Sequence, residues 1–183
     1  MIIETGRLLL RPFEKYDRAP FAAINADPDV MRYFPHQMTR DQSDAMIDRI
    51  EATRSETGLC FLAAELRENG ELAGMIGLAA IGDPLRSVLG DGCDYEIGWR
   101  LRRDLWGKGL APEGALACLE YAWHDLKLSD VVAFTFAGNE PSRRVMEKIG
   151  MTYDAAGDFR HTSLPADHRL SAHVLYRIAS PRP

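Results

Sequence analysis

The sequence of 183 residues contains only three cysteines, no spaced set of metal ligands and no long apolar run. Cys60, Cys93 and Cys118 are odd in number and far apart, which excludes a disulfide framework and a C-x-x-C metal site. They indicate reduced, buried thiols in a cytoplasmic protein. No grouping of His, Asp and Glu has metal-ligand spacing, so we expect no catalytic metal.

The sequence also lacks an excess of positive charge. With 27 acidic and 22 basic residues, its formal net charge is −5. Nucleic acids and anionic membrane surfaces select basic faces, so neither is an expected partner. Glu4, Arg7 and Arg11 interrupt the apolar N-terminal segment, which is therefore predicted to be neither a signal peptide nor a membrane span, and no later stretch is long enough to span.

What the sequence does contain is an alternation of strand and helix patterns without repeats or linkers, so residues 1–183 are predicted to form a single α+β domain. Predicted strands cover residues 7–13, 60–66, 72–81, 94–101, 131–136, 152–158 and 170–178, and predicted helices cover residues 17–25, 41–57, 111–126 and 141–149. Asn69-Gly70 predicts a hairpin between the second and third strands. Thr39 or Asp41 is expected to cap the second helix, and Gly58 to end it.

The segment WGKGLAPEG, residues 106–114, places two glycines directly before the third predicted helix. The first N–H groups of a helix have no intrahelical partner and lie at the positive end of its dipole, so such a turn can bind phosphate. Gly107 and Gly109 would let the backbone approach the anion, although an isolated G-x-G is also typical of a tight connection. Walker and Rossmann phosphate loops are excluded, because Gly109 follows Lys108 and Pro112 occupies the last Rossmann position.

Together with FAGNEPSRRVMEKIGM, residues 136–151, this segment resembles the GNAT superfamily of acyl-CoA-dependent N-acetyltransferases. The family signature [QR]-x-x-G-x-[GA] binds the pyrophosphate of coenzyme A through main-chain N–H groups. It aligns here with Trp106-Gly107-Lys108-Gly109-Leu110-Ala111, where Trp106 replaces the usual Gln or Arg. The segments ETGRLLLRPF, YEIGWRL and NEPSRRVMEKIGM follow the order of the Rim-type branch, whose members acetylate protein N-termini.

The resemblance implies a fold and a cosubstrate. The fold is a mixed, mostly antiparallel sheet flanked by helices and splayed between the fourth and fifth predicted strands. Acetyl-CoA would be the acyl donor, and the backbone from Trp99 to Leu101 would pair with its pantetheine arm as a peptide pairs with a sheet edge. Asn139 would contact the cofactor or fix the local turn.

Acyl transfer from a thioester to an amine requires a base for the ammonium and a proton donor for the departing thiolate. Met146 stands where many family members have a donor tyrosine, so Ser142 is the candidate donor by resemblance to Rim-type members. The alternative is that Ser142 only satisfies backbone groups in the first helical turn. Glu96 is the candidate base and Asp94, on the same strand face, is the second choice, while a carboxylate at a strand end can also be structural.

The long segment 157–177 between the last two strands is expected to cover the acceptor site, because loops at this place do so in the family. Asp158, Arg160, His161 and His168 are therefore candidates for substrate selection. His161 could also relay a proton, since imidazole titrates near neutral pH.

These interpretations predict an N-acetyltransferase that moves an acetyl group to a primary amine by direct transfer in a ternary complex. A protein N-terminus and a small-molecule amine are both compatible acceptors, and a homodimer is compatible with the sequence. The alternative from another class is a non-catalytic acyl-CoA-binding or sensor module, which the loss of the tyrosine donor at Met146 would suit.

Overall fold

A computed structural model describes residues 1–181; Arg182 and Pro183, the last two residues of the predicted domain, lie outside this part. The strands are β1 (Ile3–Glu4), β2 (Leu8–Arg11), β3 (Phe61–Leu66), β4 (Leu72–Ala80), β5 (Tyr95–Leu101), β6 (Asp130–Phe136), β7 (Thr152–Arg160) and β8 (Ala172–Ala179). The α-helices are α1 (Arg18–Ala26), α2 (Arg40–Thr57), α3 (Leu85–Leu89), α4 (Leu110–His124) and α5 (Glu140–Lys148).

Within the described residues all eight strands form one sheet, in the order β1-β2-β3-β4-β5-β6-β8-β7. Every neighbouring pair is antiparallel except β5 and β6, which run parallel. The predicted mixed, mostly antiparallel sheet is therefore confirmed. The predicted hairpin also forms, since β3 and β4 pair across the turn that contains Gly70 at φ +74°.

The structure adds two short elements that the sequence pattern did not predict. Strand β1 is two residues long and pairs Ile3 with Leu10, and helix α3 is a five-residue helix between the predicted strands 72–81 and 94–101. Segments of two and five residues are too short to repeat the apolar period by which a strand or helix is recognised from sequence. Because β1 precedes the first predicted strand, the predicted fourth and fifth strands correspond to β5 and β6 of the structure.

Helix α2 has the boundaries that its capping residues encode. Thr39 Oγ1 accepts a hydrogen bond from the Gln42 N–H at 3.3 Å, and Gln42 Oε1 accepts one from the Thr39 N–H at 2.9 Å. This reciprocal pair satisfies two N–H groups at the helix start, so Thr39 and not Asp41 is the cap. Gly58 ends the helix at φ +74°, a conformation that glycine adopts without strain.

The two faces of the sheet carry different helices. Helix α4 lies directly on one face, because a Cβ at Gly114 would come within 2.5 Å of Ile76 Cδ1. Ile76 is opposite Trp99 in the β4–β5 register, so Trp99 shares this face. Side chains alternate along a strand, and Arg100 accordingly points to the other face, where it bonds to Asn25 of α1.

Candidate active site

Strands β5 and β6 pair at one register position, Glu96 with Val132, and then separate. The N–H of Arg102 donates to β4, so by antiparallel alternation Trp99 and Leu101 direct their backbone groups away from β4 and toward β6. In the described chain, no residue of β5 after Glu96 is paired with β6. The gap is the predicted splay, and its exposed backbone suits an added extended amide.

Trp106 closes the outer end of this gap. Its indole Nε1 donates a hydrogen bond of 2.9 Å to the Leu101 carbonyl oxygen, and the residue is 39% exposed. The Leu101 carbonyl is therefore already engaged, whereas the Trp99 backbone and the Leu101 N–H remain open to a ligand. Trp106 thus fixes the glycine turn to the end of β5, a role that the family's Gln or Arg signature does not indicate.

The glycine turn forms an open row of donors at the start of α4. Gly107 and Gly109 have φ of +75° and +78°, and a Cβ at Gly107 would meet no atom within 4 Å. The backbone N–H groups from Gly107 through Lys108, Gly109 and Leu110 to Ala111 donate to no acceptor within residues 1–181. Free N–H groups at the positive end of a 15-residue helix are suited to bind phosphate.

Arg7 and Glu113 hold the glycine turn without using its N–H groups. Arg7 Nη1 donates to the Lys108 carbonyl oxygen at 2.8 Å, and Arg7 Nε donates to Glu113 Oε2 at 2.6 Å. Burial acts to raise the pKa of Glu113, but hydrogen bonds from Thr5 and Arg7 outweigh it and leave the pKa below the usual value. The side chain of Lys108 is exposed, so only its backbone belongs to the row of donors.

A cavity of about 750 Å³ connects the gap between β5 and β6 with the space beside α2 and residues 29–35, which precede that helix. It brings together most of the residues predicted from the sequence. Those that line it are Glu96, Trp99, Leu101, Trp106, Gly107, Gly109, Leu110, Ala111, Asn139, Ser142 and His161. Neither Lys108 nor Asp94 lines this cavity.

Glu96 is the carboxylate at the point where the strands separate. It is half-buried, and its side chain has no hydrogen bond or ion pair within the described residues. Burial raises the pKa of Glu96 to about 7, because the ionised form loses hydration that no neighbouring group replaces. Asp94, the alternative base, instead forms an ion pair with Arg86 outside the cavity.

The start of α5 places Ser142 and Asn139 at the cavity wall. Asn139 Oδ1 accepts a hydrogen bond from the Ser142 N–H at 3.3 Å, and Asn139 Nδ2 donates to Thr135 Oγ1 at 2.8 Å. Asn139 therefore fixes the local turn as the helix cap. The Ser142 hydroxyl has no hydrogen-bond partner within the described residues, so its oxygen is free to meet a ligand. Met146, one turn later, also lines the cavity and is buried.

His161 is paired with His173 at the other side of the cavity, with ring centroids 4.9 Å apart. His161 Nδ1 accepts a hydrogen bond from the Ser163 N–H at 3.2 Å, so in the neutral ring the proton is on Nε2. Burial lowers the pKa of His161, and burial lowers that of His173 to about 4. Burial therefore favours the neutral form of both rings.

The other residues proposed for substrate selection do not line the cavity. Asp158 accepts a hydrogen bond of 2.6 Å from the Tyr153 hydroxyl, and Arg160 donates to the Ala166 carbonyl oxygen at 2.6 Å. His168 accepts a hydrogen bond from a backbone N–H within its own loop. Of the four candidates, only His161 is in a position to contact a ligand in the described cavity.

Arg100 belongs to the cavity wall although no motif singles it out in the sequence. It is 6% exposed, and burial lowers its pKa to about 10. It lies on the same face of β5 as Glu96, with Gly98 between them. Because side chains alternate along a strand, the sequence does place Arg100 on the same face of the strand as Glu96. The burial of Arg100 depends on the packing of α1 and α2 and is not visible in the sequence.

Two other kinds of site are absent from the part of the chain that the structure describes. No three or more His, Cys, Asp or Glu side chains in residues 1–181 are placed to hold a metal ion together. Within the same range, no helix combines the length and the apolar character needed to cross a bilayer.

Comparison with known proteins agrees with this geometry. Residues 7–152 match the acetyltransferase (GNAT) domain family. The uncharacterized N-acetyltransferase YnaD of Bacillus subtilis (strain 168) is 33% identical over 152 residues, which cover 82% of each chain. The crystal structure of an acetyltransferase (GNAT family) from Bacillus anthracis has a TM-score of 0.79 and 29% identity, covering 98% of this chain and 99% of that one. The chain belongs to the GNAT acetyltransferase family, and the predicted enzyme class, an N-acetyltransferase, is confirmed.

A ribosomal-protein-S5-alanine acetyltransferase from Vibrio fischeri also has this fold. Its TM-score is 0.75, and the alignment covers 100% of this chain and 98% of that one. The identity is 13%, so the similarity shows the fold alone. Assignment to the Rim-type branch therefore stays a prediction.

Proposed function

We propose that the chain transfers the acetyl group of acetyl-CoA directly to a primary amine bound in the same cavity. One observation carries the proposal: the cavity joins three unpartnered features. These are the N–H groups at the start of α4, the Trp99 backbone in the β5–β6 gap, and the Glu96 carboxylate. Together they suit an anion, an extended amide chain and an ammonium proton, respectively.

The residues present fit acetyl-CoA. The N–H groups from Gly107 to Ala111 would hold the pyrophosphate, and the backbone of Trp99 would pair with the pantetheine arm. The bound molecule supplies a thioester carbonyl that is reactive toward amines. Because the gap narrows toward Glu96, the cavity at that end is where the acceptor amine and the base would meet.

Glu96 would take the proton from the acceptor, either directly or through water. An ammonium is not nucleophilic, and most aliphatic amines are protonated at neutral pH. A carboxylate with a pKa of about 7 is partly ionised there and is a stronger base than an ordinary glutamate. His161 is the weaker alternative, because burial lowers its pKa.

Ser142 would give its hydroxyl proton to the departing sulfur, since Met146 has no proton to donate. Direct transfer is favoured over a thiol intermediate because Cys60, Cys93 and Cys118 do not line the cavity. Burial also raises the pKa of each thiol, to about 11 for Cys60 and about 12 for Cys118, which suppresses the nucleophilic thiolate.

The acceptor class, the cellular location and the oligomeric state are proposed from the sequence. The acceptor is a protein N-terminus, as in the Rim-type branch, or a small-molecule amine. Buried, reduced cysteines support a cytoplasmic location. The proposed single domain and the compatible homodimer can be tested by cooperative unfolding and by sedimentation.

The experiment is to follow thiol release from acetyl-CoA in the presence of N-terminal peptides, amino acids and polyamines, with the products identified by mass spectrometry. We expect one N-acetylated amine for each thiol released, at a rate above that without amine. If calorimetry shows that acetyl-CoA binds but no amine raises thiol release, the chain is instead a non-catalytic acyl-CoA-binding or sensor module.

A further inference from the structure

Arg100 carries a buried positive charge that the described chain does not neutralise. Its Nη1 donates to Asn25 Oδ1 at 2.6 Å, while its Nε is buried without a hydrogen-bond partner. No carboxylate within residues 1–181 pairs with this guanidinium. Its pKa of about 10 keeps it cationic at neutral pH, so the fold retains an unpaired charge in a poorly hydrated place. Such an arrangement is unfavourable unless a ligand completes it.

The guanidinium is also held in a fixed orientation. Asn25 and Ser43 are both fully buried, and Asn25 Nδ2 donates to Ser43 Oγ at 2.9 Å. This bond turns the amide so that its oxygen faces Arg100. The Phe34 ring lies with its centroid 4.1 Å from Arg100 Cζ, which sets the plane of the guanidinium. Two buried helix residues and one aromatic ring thus present a flat cation to the cavity.

Arg100 and Glu96 form a complementary pair of unsatisfied charges on one face of β5. They are four residues apart, or about 13 Å between Cα atoms at the usual rise of a strand. Gly98 lies between them and leaves room for the ring of Phe61 from β3, since a Cβ at Gly98 would come within 3.0 Å of Phe61 Cε1. Asp29, the other carboxylate at the cavity wall, is already paired with Arg103 at 2.5 Å.

We propose that Arg100 binds a carboxylate of the acetyl acceptor, so that the acceptor is a small amine that also bears a carboxylate, such as an amino acid. The inference rests on the proposed function, in which Glu96 receives the proton of the amine. Nη2 of Arg100 forms no hydrogen bond within the described residues and, unlike Nε, is not buried, so it is the guanidinium nitrogen that a carboxylate oxygen can meet.

The position of Arg100 separates the acceptor from the cosubstrate. Its side chain faces α1 and α2, whereas the glycine turn of the proposed pyrophosphate site belongs to α4 on the opposite face. The neighbouring wall is apolar and includes Phe34, Met46 and Phe61. Arg32 and Arg144 also line the cavity but are exposed to solvent, so Arg100 is the buried arginine that a carboxylate entering this wall would meet.

The test compares matched amines that differ only in the anionic group. The pairs are α-amino acids with their carboxamides, and 4-aminobutyrate with butylamine. We expect kcat/KM to be about tenfold to a hundredfold higher for the carboxylate member of at least one pair, the range of a hydrogen-bonded charge interaction. The α-amine of a carboxamide is less basic than that of the amino acid, so more of it is unprotonated and reactive at neutral pH. Amine protonation alone would therefore favour the carboxamide and cannot produce a preference for the carboxylate.

Three variants assign the preference to Arg100. Arg100→Met should remove it mainly by raising KM for the carboxylate acceptor, with a far smaller change for the carboxamide. Arg100→Lys should retain part of the preference, because the charge remains without the planar fork. Arg102→Met is the matched control, because Arg102 lies one strand residue beyond β5 and pairs outside the cavity with Glu71 and Asp104.

The outcomes distinguish this inference from the proposed function. Equal turnover of both members of every pair, or an undiminished preference in Arg100→Met, overturns the role of Arg100 and leaves acetyl transfer intact. If no amine raises thiol release, the proposed function fails, and calorimetry then tests Arg100 alone. N-acetylphenylalanine and its amide are titrated into the wild-type chain with CoA; tighter binding of the acid, lost in Arg100→Met, supports the carboxylate site, and equal binding overturns it.

Discussion

Arg11 and Arg100 are almost equally buried, with 8% and 6% of their surfaces exposed, but their surroundings differ. Arg11 on β2 donates to both oxygens of Asp17, at 2.6 and 2.9 Å, and to Glu65 at 2.8 Å. The hydrogen bond with Asp17 is the main reason that the pKa of Arg11 is raised, despite burial. Arg100 on β5 has no such partner, and burial lowers its pKa to about 10.

The difference teaches which charges the fold itself requires. Where β2, β3 and the segment before α1 meet, two carboxylates neutralise the arginine, so the cluster is complete without a ligand. Around the β5–β6 gap, Arg100, Glu96 and the N–H groups before α4 remain incomplete. Polar groups that the chain leaves unsatisfied in a cavity are candidates for recognition and catalysis.

The largest expected effect comes from closing the open row of N–H groups. Gly109→Asp adds a carboxylate and a side chain at φ +78°, where the proposed pyrophosphate would lie. We expect loss of detectable acetyl-CoA binding by calorimetry on the folded variant. Gly70→Asp is the matched control, since Gly70 has φ +74° in an exposed turn with open space around it. Unchanged affinity in Gly109→Asp would remove this turn from the site.

Removing the unsatisfied carboxylate should lower catalysis next most. Glu96→Gln keeps the shape but not the basicity, and we expect a fall of about a hundredfold to ten-thousandfold in the rate of transfer. The rate for an amine of high pKa should fall most, because it is almost wholly protonated at neutral pH. In wild type, kcat/KM should rise with pH through about 7 as Glu96 ionises. Asp94→Asn, directly before β5, is the control.

If the rise of kcat/KM at acidic pH persists unshifted in Glu96→Gln, for amines of high and of low pKa alike, Glu96 is not the base.

The free energy of unfolding gives an independent readout. Because burial raises the folded-state pKa from 4.5 to about 7, folding favours protonated Glu96; this contribution is fully present below pH 4.5 and is lost as pH rises through about 7. Glu96→Gln should therefore exceed wild type in free energy of unfolding at pH 8, by up to about 3 kcal/mol, but not near pH 4.

Breaking the complete cluster should reduce stability rather than activity. Asp17→Ala leaves buried Arg11 with Glu65 alone, and we expect the free energy of unfolding to fall by about 3 kcal/mol. Arg100→Met is the matched comparison and should lose less than Asp17→Ala, because removal of a charge without a counter-charge offsets the lost hydrogen bond to Asn25 Oδ1. Urea unfolding measures both. Equal losses in the two variants would show that the chain does compensate Arg100.

The smallest expected effect concerns the leaving group. Ser142→Ala should lower kcat by about tenfold to a thousandfold with little change in acetyl-CoA affinity, because the free hydroxyl acts on the departing sulfur. Ser163→Ala removes another hydroxyl of the same cavity and serves as the control. A normal kcat, measured where chemistry limits turnover, would mean that water protonates the thiolate.

Helices and strands long enough to repeat their apolar period, and turns with characteristic residues, could be predicted from the sequence. The turn at Gly70 and the glycine turn before α4 depend on interactions among near neighbours, so their residue types reveal them. For the start of α2 the sequence indicates Thr39 or Asp41, and the hydrogen bonds with Gln42 decide for Thr39. Strand β1 and helix α3 were not predicted, because a two-residue strand exists only through its pairing with β2.

The catalytic candidates on the wall of the cavity were only partly predictable. Glu96 and Ser142 were proposed from resemblance to a family, and both lie at the cavity. Asp158, Arg160 and His168 came from the same kind of reasoning about a loop, but their side chains are engaged elsewhere. A loop longer than a tight hairpin can be recognised from sequence, whereas the direction of each side chain cannot.

The sequence by itself determined the alternation of elements, the glycine turn at Gly107 and Gly109 before α4, and membership of an acetyltransferase family. Only the tertiary structure decided that Arg11 would be neutralised and Arg100 would not. The two arginines look alike in sequence because each lies in a strand beside apolar residues. Their chemistry differs because charge compensation depends on residues distant in sequence, Asp17 and Glu65 for one and the uncharged Asn25 for the other, which the sheet and helices bring into contact.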